Sequence, residues 1–179
     1  MSGWLASMIE AKLARFPGDD RFVEELPYAA ADVAEKRETA LTPDQVDDAV
    51  AAGATFLVSP GTNEAVIERA KTHGVPILPG VADPSDIMRA LALDIDVVKF
   101  FPANILGGSA AIRALAAPFP TVRFVPTGGI SQDNLADYFA VPAVLAIGGS
   151  WMVDRALVEA GDWPEITRRA SAAVKSAKV

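Results

Sequence analysis

From about residue 40 onward, apolar and polar positions come in blocks. A short apolar run closes on Gly, Pro or Ser, a helical pattern follows, and the unit repeats. The runs are Thr55–Pro60, Val75–Gly80, Val97–Pro102, Val122–Thr127 and Val144–Gly148. Their centres lie roughly 20 to 25 residues apart, the length of a strand, a helix and two short loops. Runs that are apolar throughout suit strands covered on both faces, so the pattern predicts a parallel sheet with helices packed on it. The helix starts are marked as clearly. Thr42-Pro43-Asp44-Gln45 offers a capping Thr, a Pro at the first helical position and a Gln at the third, and Gly53 suits the stop. Asp83-Pro84-Ser85-Asp86 repeats the start signal, and Asp162-Trp163-Pro164-Glu165 opens a last helix expected to bury Ile166, Ala170 and Val174 on one face. Five consecutive strand–helix units fit a doubly wound sheet or a (β/α) barrel. In both, chemistry gathers at the C-terminal ends of the strands. Lys99, Thr127 and Gly148 fall at or near such ends.

The first forty residues break the pattern. Trp4, Leu5, Met8, Ile9 and Leu13 make an amphipathic stripe, which predicts a helix over about residues 4–15. Arg21 to Leu26 could form one short strand. Residues 24–40 are rich in Ala and Glu without an apolar run, and read as a charged helix or a surface segment. Residues 1–40 are therefore expected to be an atypical segment, and residues 41–179 one domain.

Composition narrows the chemistry. The 179 residues suffice for a domain with a real core. There is no cysteine, which excludes disulfides, thiolate catalysis and zinc–thiolate sites. The one histidine, His73, sits in Lys71-Thr72-His73-Gly74, a helix-end pattern, so a histidine metal cluster is excluded and a structural role is expected. Net charge is −7, which argues against nucleic acid or an anionic membrane as partner. No signal-peptide pattern opens the chain and no apolar run is long enough to span a bilayer.

Lys99 stands out against this background. It lies in Val97-Val98-Lys99-Phe100-Phe101-Pro102, with no compensating charge beside it in sequence. A buried ammonium is costly, so such a lysine tends to lose its proton. A neutral amine attacks carbonyls and forms Schiff bases. The competing reading is a strand-end lysine that extends its head to water. Two further motifs end successive strands: Pro126-Thr127-Gly128-Gly129-Ile130 and Ile147-Gly148-Gly149-Ser150. Paired glycines allow close approach and expose backbone N–H groups, which suits an anion such as phosphate. Ordinary turn geometry is the alternative. Gly107-Gly108 reads as the loop leaving the Lys99 strand, and Asp94 and Asp96 fall at the opposite end of that strand. Trp151 reads as core or as a pocket wall.

Taken in order, Lys99-Phe100-Phe101-Pro102-Ala103, Pro118-Phe119-Pro120, Val122 to Ile130 and Ile147 to Trp151 strongly resemble 2-keto-3-deoxy-6-phosphogluconate aldolases. Ser59-Pro60-Gly61 and Leu41-Thr42-Pro43 fit the same pattern. The resemblance runs from about residue 41 to the C-terminus. It implies a (β/α)₈ barrel and a cytoplasmic homotrimer. It also implies a class I, Schiff-base lyase of the Entner–Doudoroff type that needs no metal or cofactor. Its partner would be a small phosphorylated keto acid, cleaved to pyruvate and glyceraldehyde 3-phosphate, and related members cleave 4-hydroxy-2-oxoglutarate. By the same resemblance Lys99 is the Schiff-base lysine, and Phe101 and Pro60 line the pyruvate end. Thr127, Gly128 and Gly129, with Gly148, Gly149 and Ser150, are the substrate and phosphate loops. The chain departs from the family before Leu41. The family's Glu-Val-Thr-Leu-Arg-Thr-like run, with a general-base Glu and a carboxylate-binding Arg, and its Gly-Ala-Gly-Thr strand end have no counterpart here. The expectation is an N-terminally truncated copy with a replaced segment, hence an incomplete barrel of about five parallel strands. Catalysis would be impaired, and a non-catalytic phosphosugar-binding remnant is the alternative.

Overall fold

The computed structural model describes residues 41–176. The expected helix over 4–15 and the atypical segment 24–40 lie outside them. In chain order the elements are α1 (Pro43–Ala51), β1 (Leu57–Val58), α2 (Glu64–Thr72), β2 (Ile77–Leu78), β3 (Gly80–Val81) and α3 (Pro84–Ala92). Then come β4 (Val97–Phe100), α4 (Gly108–Ala116), β5 (Arg123–Pro126), α5 (Leu135–Phe139), α6 (Arg155–Ala160) and α7 (Trp163–Ser176). The helices begin where their capping residues stand. Thr42 and Gln45 form a reciprocal capping box at α1, and the Asp83 carboxylate accepts from the Ser85 and Asp86 N–H groups at α3.

Every strand pairing is parallel. β1 pairs with β2, β3 with β4, and β4 with β5, each in sequence order. Only Pro79 separates β2 from β3. A proline has no N–H to give a ladder, so the predicted second strand is recorded as two short pieces. The predicted fifth run pairs less than expected. It joins β5 only through the bridges Phe124↔Val144 and Thr127↔Gly148, and residues 145–147 between them belong to no strand.

β1 and β2 form one sheet and β3, β4 and β5 a second, joined in the chain through Pro79, and registers and burial together assign their two faces. Val81, Val98, Phe100 and Phe124 are buried with Ile87 and Ala90 of α3, Ile112 of α4 and Tyr138 of α5. Leu57 and Ile77 are buried with Val46 of α1 and with Val66, Ile67 and Ala70 of α2. These strand residues face the helices. Successive side chains alternate faces, so Val58, Leu78, Gly80, Lys99 and Val125 share the opposite, inner face. Full burial of two aromatics, Phe100 and Phe124, packed edge to face at 6.5 Å, anchors β4 and β5. At ~25 cal/mol per Å² of apolar surface, such burial outweighs any single surface contact.

α7 differs in detail from its expected stripe. Ile166 and Ala173 are its buried positions, while Val174 is exposed. Residue 173 is seven beyond 166, two full turns, and so stays on the buried side better than 174 does. His73 caps the C-terminal end of α2, as the sequence suggests, and it has a partner that the sequence does not reveal. Asp47 of α1 accepts two hydrogen bonds from Arg69 and contacts His73 Nε2 at 2.6 Å. These bonds, Arg69 first and His73 second, hold the Asp47 carboxyl well below its ordinary range. A depressed carboxylate pKa stabilises the fold above the unfolded value and loses that contribution as pH falls from about 4. Asp47→Asn is therefore expected to lower Tm slightly at neutral pH and to flatten the pH dependence of Tm on the acid side. An unchanged acid limb would show that the trio contributes nothing. No helix among the described residues is long and apolar enough to cross a membrane.

Candidate active site

Lys99 is the third residue of β4 and projects from the inner face, flanked in register by Gly80 and Val125. Its own backbone is fixed, since its N–H donates to the Pro79 carbonyl at 2.8 Å. The side chain is half-buried. Nζ lies 4.4 Å from the centre of the Phe101 ring, and burial lowers the ammonium pKa from its ordinary value. No ion pair to Lys99 occurs among the described residues, and desolvation is the one cause of the shift. Partial loss of hydration with no carboxylate to offset it favours the neutral amine. Phe101 follows two residues on, on the same face. Its ring sits between Lys99 and Gly128, within 3.3 Å of where a Gly128 Cβ would stand.

The two glycine motifs meet at this end of the sheet. Thr127 bridges Gly148 in parallel, and the Gly148 N–H donates to the Pro126 carbonyl at 3.0 Å. A Cβ on Gly148 would come 2.8 Å from Thr127 Oγ1. Gly128 and Gly129 have φ of +98° and +73°, the left-handed region that glycine enters at no steric cost. Their carbonyls are held by Asn104 N–H at 3.0 Å and Asn134 Nδ2 at 3.0 Å. A Cβ on Gly149 would collide with the Trp151 ring, which packs against the larger core cluster. The N–H groups of Gly128, Gly129, Gly149 and Ser150 are left without a protein acceptor among the described residues, so two adjacent loops present unpaired donors. Each motif leads toward a helix after a short connection. α5 begins at Leu135 and α6 at Arg155, several residues after each glycine pair. Gly107, predicted as plain loop, caps the start of α4 with φ of +100°. Asp96 lies at the far end of β4, where its carbonyl accepts from Arg123 N–H.

Pro60 comes to the same face by a route the sequence hides. The Pro60–Gly61 peptide lies directly over Gly80, so that a Cβ there would overlap the Pro60 backbone. Gly80 stands beside Lys99 in register. The missing side chain is thus what lets the loop after β1 reach the lysine's neighbourhood. The nearest sequence signal is only that the apolar run Val75–Gly80 closes on a residue with no side chain.

A half-buried amine on the inner face of a parallel sheet, with unpaired loop N–H groups at the ends of the neighbouring strands, is chemically able to hold a small carbonyl compound carrying an anionic group. The comparisons are specific. Residues 29–169 match the family model for KDPG and KHG aldolases. The chain is 55% identical over 137 residues to a 2-dehydro-3-deoxy-phosphogluconate aldolase of Treponema pallidum, covering 76% of this chain and 65% of the relative. It is 47% identical over 130 residues to the Pseudomonas aeruginosa enzyme, covering 73% of this chain and 59% of the relative. The KDPG aldolase of Legionella pneumophila, solved with pyruvate captured at low pH as a covalent carbinolamine, superposes with a TM-score of 0.73 at 38% identity, over 75% of this chain and 66% of that one. This chain belongs to the KDPG and KHG aldolase family, whose structures are of the (β/α) barrel type. It spans about 59 to 65% of the length of the two curated relatives above.

Proposed function

We propose that this protein is a Schiff-base aldolase whose nucleophile is Lys99 and whose substrate is 2-keto-3-deoxy-6-phosphogluconate. The observation that carries the reading is Lys99 itself: a half-buried amine with a lowered pKa and no counterion among the described residues, on the inner face of a sheet from this family. Neutral Nζ adds to the C2 carbonyl to give a carbinolamine, which loses water to an iminium. The C4 hydroxyl then gives up its proton, the C3–C4 bond breaks, and the bonding pair flows into the iminium. An enamine remains on Lys99 and glyceraldehyde 3-phosphate departs. Protonation at C3 and addition of water release pyruvate and restore the amine.

The surroundings support distinct roles. Phe101 and the Pro60 peptide wall the pyruvate end beside the amine. Gly128, Gly129, Gly149 and Ser150 hold the phosphate through their unpaired backbone N–H groups, and Thr127 and Ser150 add their hydroxyls, while Gly148, whose own N–H is taken by the Pro126 carbonyl, binds by leaving room beside Thr127. The same reading takes the working protein to be a cytoplasmic homo-oligomer, a trimer by family resemblance. Exposed Met88 and Ile105 are apolar surface that a second copy could cover. One observation favours a second reading, a phosphosugar-binding remnant: no carboxylate perturbs Lys99 among the described residues.

Incubation with the phosphorylated keto acid, following pyruvate release, separates the two. Turnover supports the aldolase, whereas binding without pyruvate release supports the remnant. Because burial lowers the Lys99 pKa, the rate of pyruvate adduct formation is expected to rise with pH and to level off below the ordinary lysine value of 10.5. A midpoint at or above that value would mean that Lys99 is solvated.

A further inference from the structure

We infer that Thr62 is a positioning residue for the pyruvate end of the site, holding the Pro60–Gly61 peptide beside Lys99 through its hydroxyl. The inference rests on the Schiff-base reading above for its chemical consequence, and on ladder geometry for its structural content. The β1–β2 ladder advances by regular rungs. Leu57 N–H donates to the Pro76 carbonyl and Ser59 N–H to the Leu78 carbonyl. The next rung of a parallel ladder would run from Gly61 N–H to the Gly80 carbonyl. That rung is not formed. The Thr62 hydroxyl takes its place, donating to the Gly80 carbonyl at 2.9 Å.

The substitution of a hydroxyl for an N–H has a consequence for the site. An ordinary rung would keep Gly61 in the plane of the sheet. With the Gly80 carbonyl satisfied by a side chain one residue later, the Pro60–Gly61 peptide is released from the ladder and folds over the Gly80 Cα. Gly80 and Lys99 are register partners, so this is the face from which Lys99 projects, one strand away. The loop is closed from its other side by Ser59, which is buried and whose hydroxyl donates to the Gly61 carbonyl at 2.8 Å. Thr62 therefore touches no reacting atom. It sets how close the Pro60 wall stands to the amine, and so how well a three-carbon keto acid is held there.

The test compares Thr62→Val with Thr62→Ser. Both keep a small side chain, and only the serine keeps the hydroxyl. Pyruvate is titrated in the presence of borohydride and the reduced adduct on Lys99 is quantified. Thr62→Val is expected to raise the pyruvate concentration for half-maximal labelling by about tenfold, the scale of one lost part-buried hydrogen bond. Its labelling at saturating pyruvate should stay near the parent's, and Thr62→Ser should titrate within about twofold of the parent. A merely structural role would lower Tm in Thr62→Val without moving the titration, and that result would overturn the inference. So would equal weakening in the valine and serine variants. The amide resonances of Gly61 and Gly80 give a readout that needs no chemistry. They should shift in Thr62→Val and hold in Thr62→Ser. If the parent forms no adduct, the aldolase reading fails, and unshifted Gly61 and Gly80 resonances in Thr62→Val would separately overturn the role of Thr62.

Discussion

Lys99→Ala is expected to abolish pyruvate labelling and to lower aldol cleavage by at least ~10³-fold, the scale of deleting a covalent nucleophile. The fold should survive. Lys99 makes no ion pair among the described residues, its ammonium stands over the Phe101 ring, and its backbone pairing with the neighbouring strands does not depend on the side chain. Removing a half-buried ammonium that has no counterion among the described residues relieves a desolvation cost, so Tm should hold or rise slightly. Lys99→Arg should be nearly as inactive, because a guanidinium stays protonated and cannot form the imine. Retained cleavage in Lys99→Ala would move the chemistry to another residue.

Cleavage of the phosphorylated keto acid is expected to lag imine formation by ~10²–10⁴-fold, the usual contribution of a positioned acid–base group. Imine formation needs mainly a neutral amine. Breaking the C3–C4 bond also needs a group to take the hydroxyl proton. Among the described residues no carboxylate acts on Lys99, and burial alone shifts it. The run that carries the base by family resemblance has no counterpart in the sequence. Rapid-quench comparison of adduct accumulation with pyruvate release measures the gap directly. Equal rates would mean that residues 1–40 or a second copy supply the base.

The strands were legible because each is a continuous apolar run, and a run with no polar face can only be covered on both sides. Strand order then follows from the order of the repeated units, whereas the registers are visible only in the ladders themselves. What the runs do not show is where pairing stops. Pro79 divides one strand in two, and the last run pairs only through two isolated bridges. Lys99 was legible as a single charge in an apolar setting, and the glycine pairs as a repeated motif. Long-range partnerships were not. Asp47 and His73 lie 26 positions apart, and neither neighbourhood signals the other. Gly80 reads locally as a strand end, yet its function is to leave room for a backbone nearly twenty residues earlier. A glycine's reason for being present lies in the contact that a side chain would block, and that contact is visible only in three dimensions. Thr62 is hidden for the same cause, since its hydroxyl replaces a rung that only the ladder reveals.

The most direct test of Lys99 as the Schiff-base nucleophile is peptide mapping by mass spectrometry after borohydride reduction with pyruvate. One reduced pyruvate group per chain, carried on the peptide containing Lys99, is the predicted result. Labelling spread over Lys71 and Lys175 as well, or no labelling at saturating pyruvate, would contradict it.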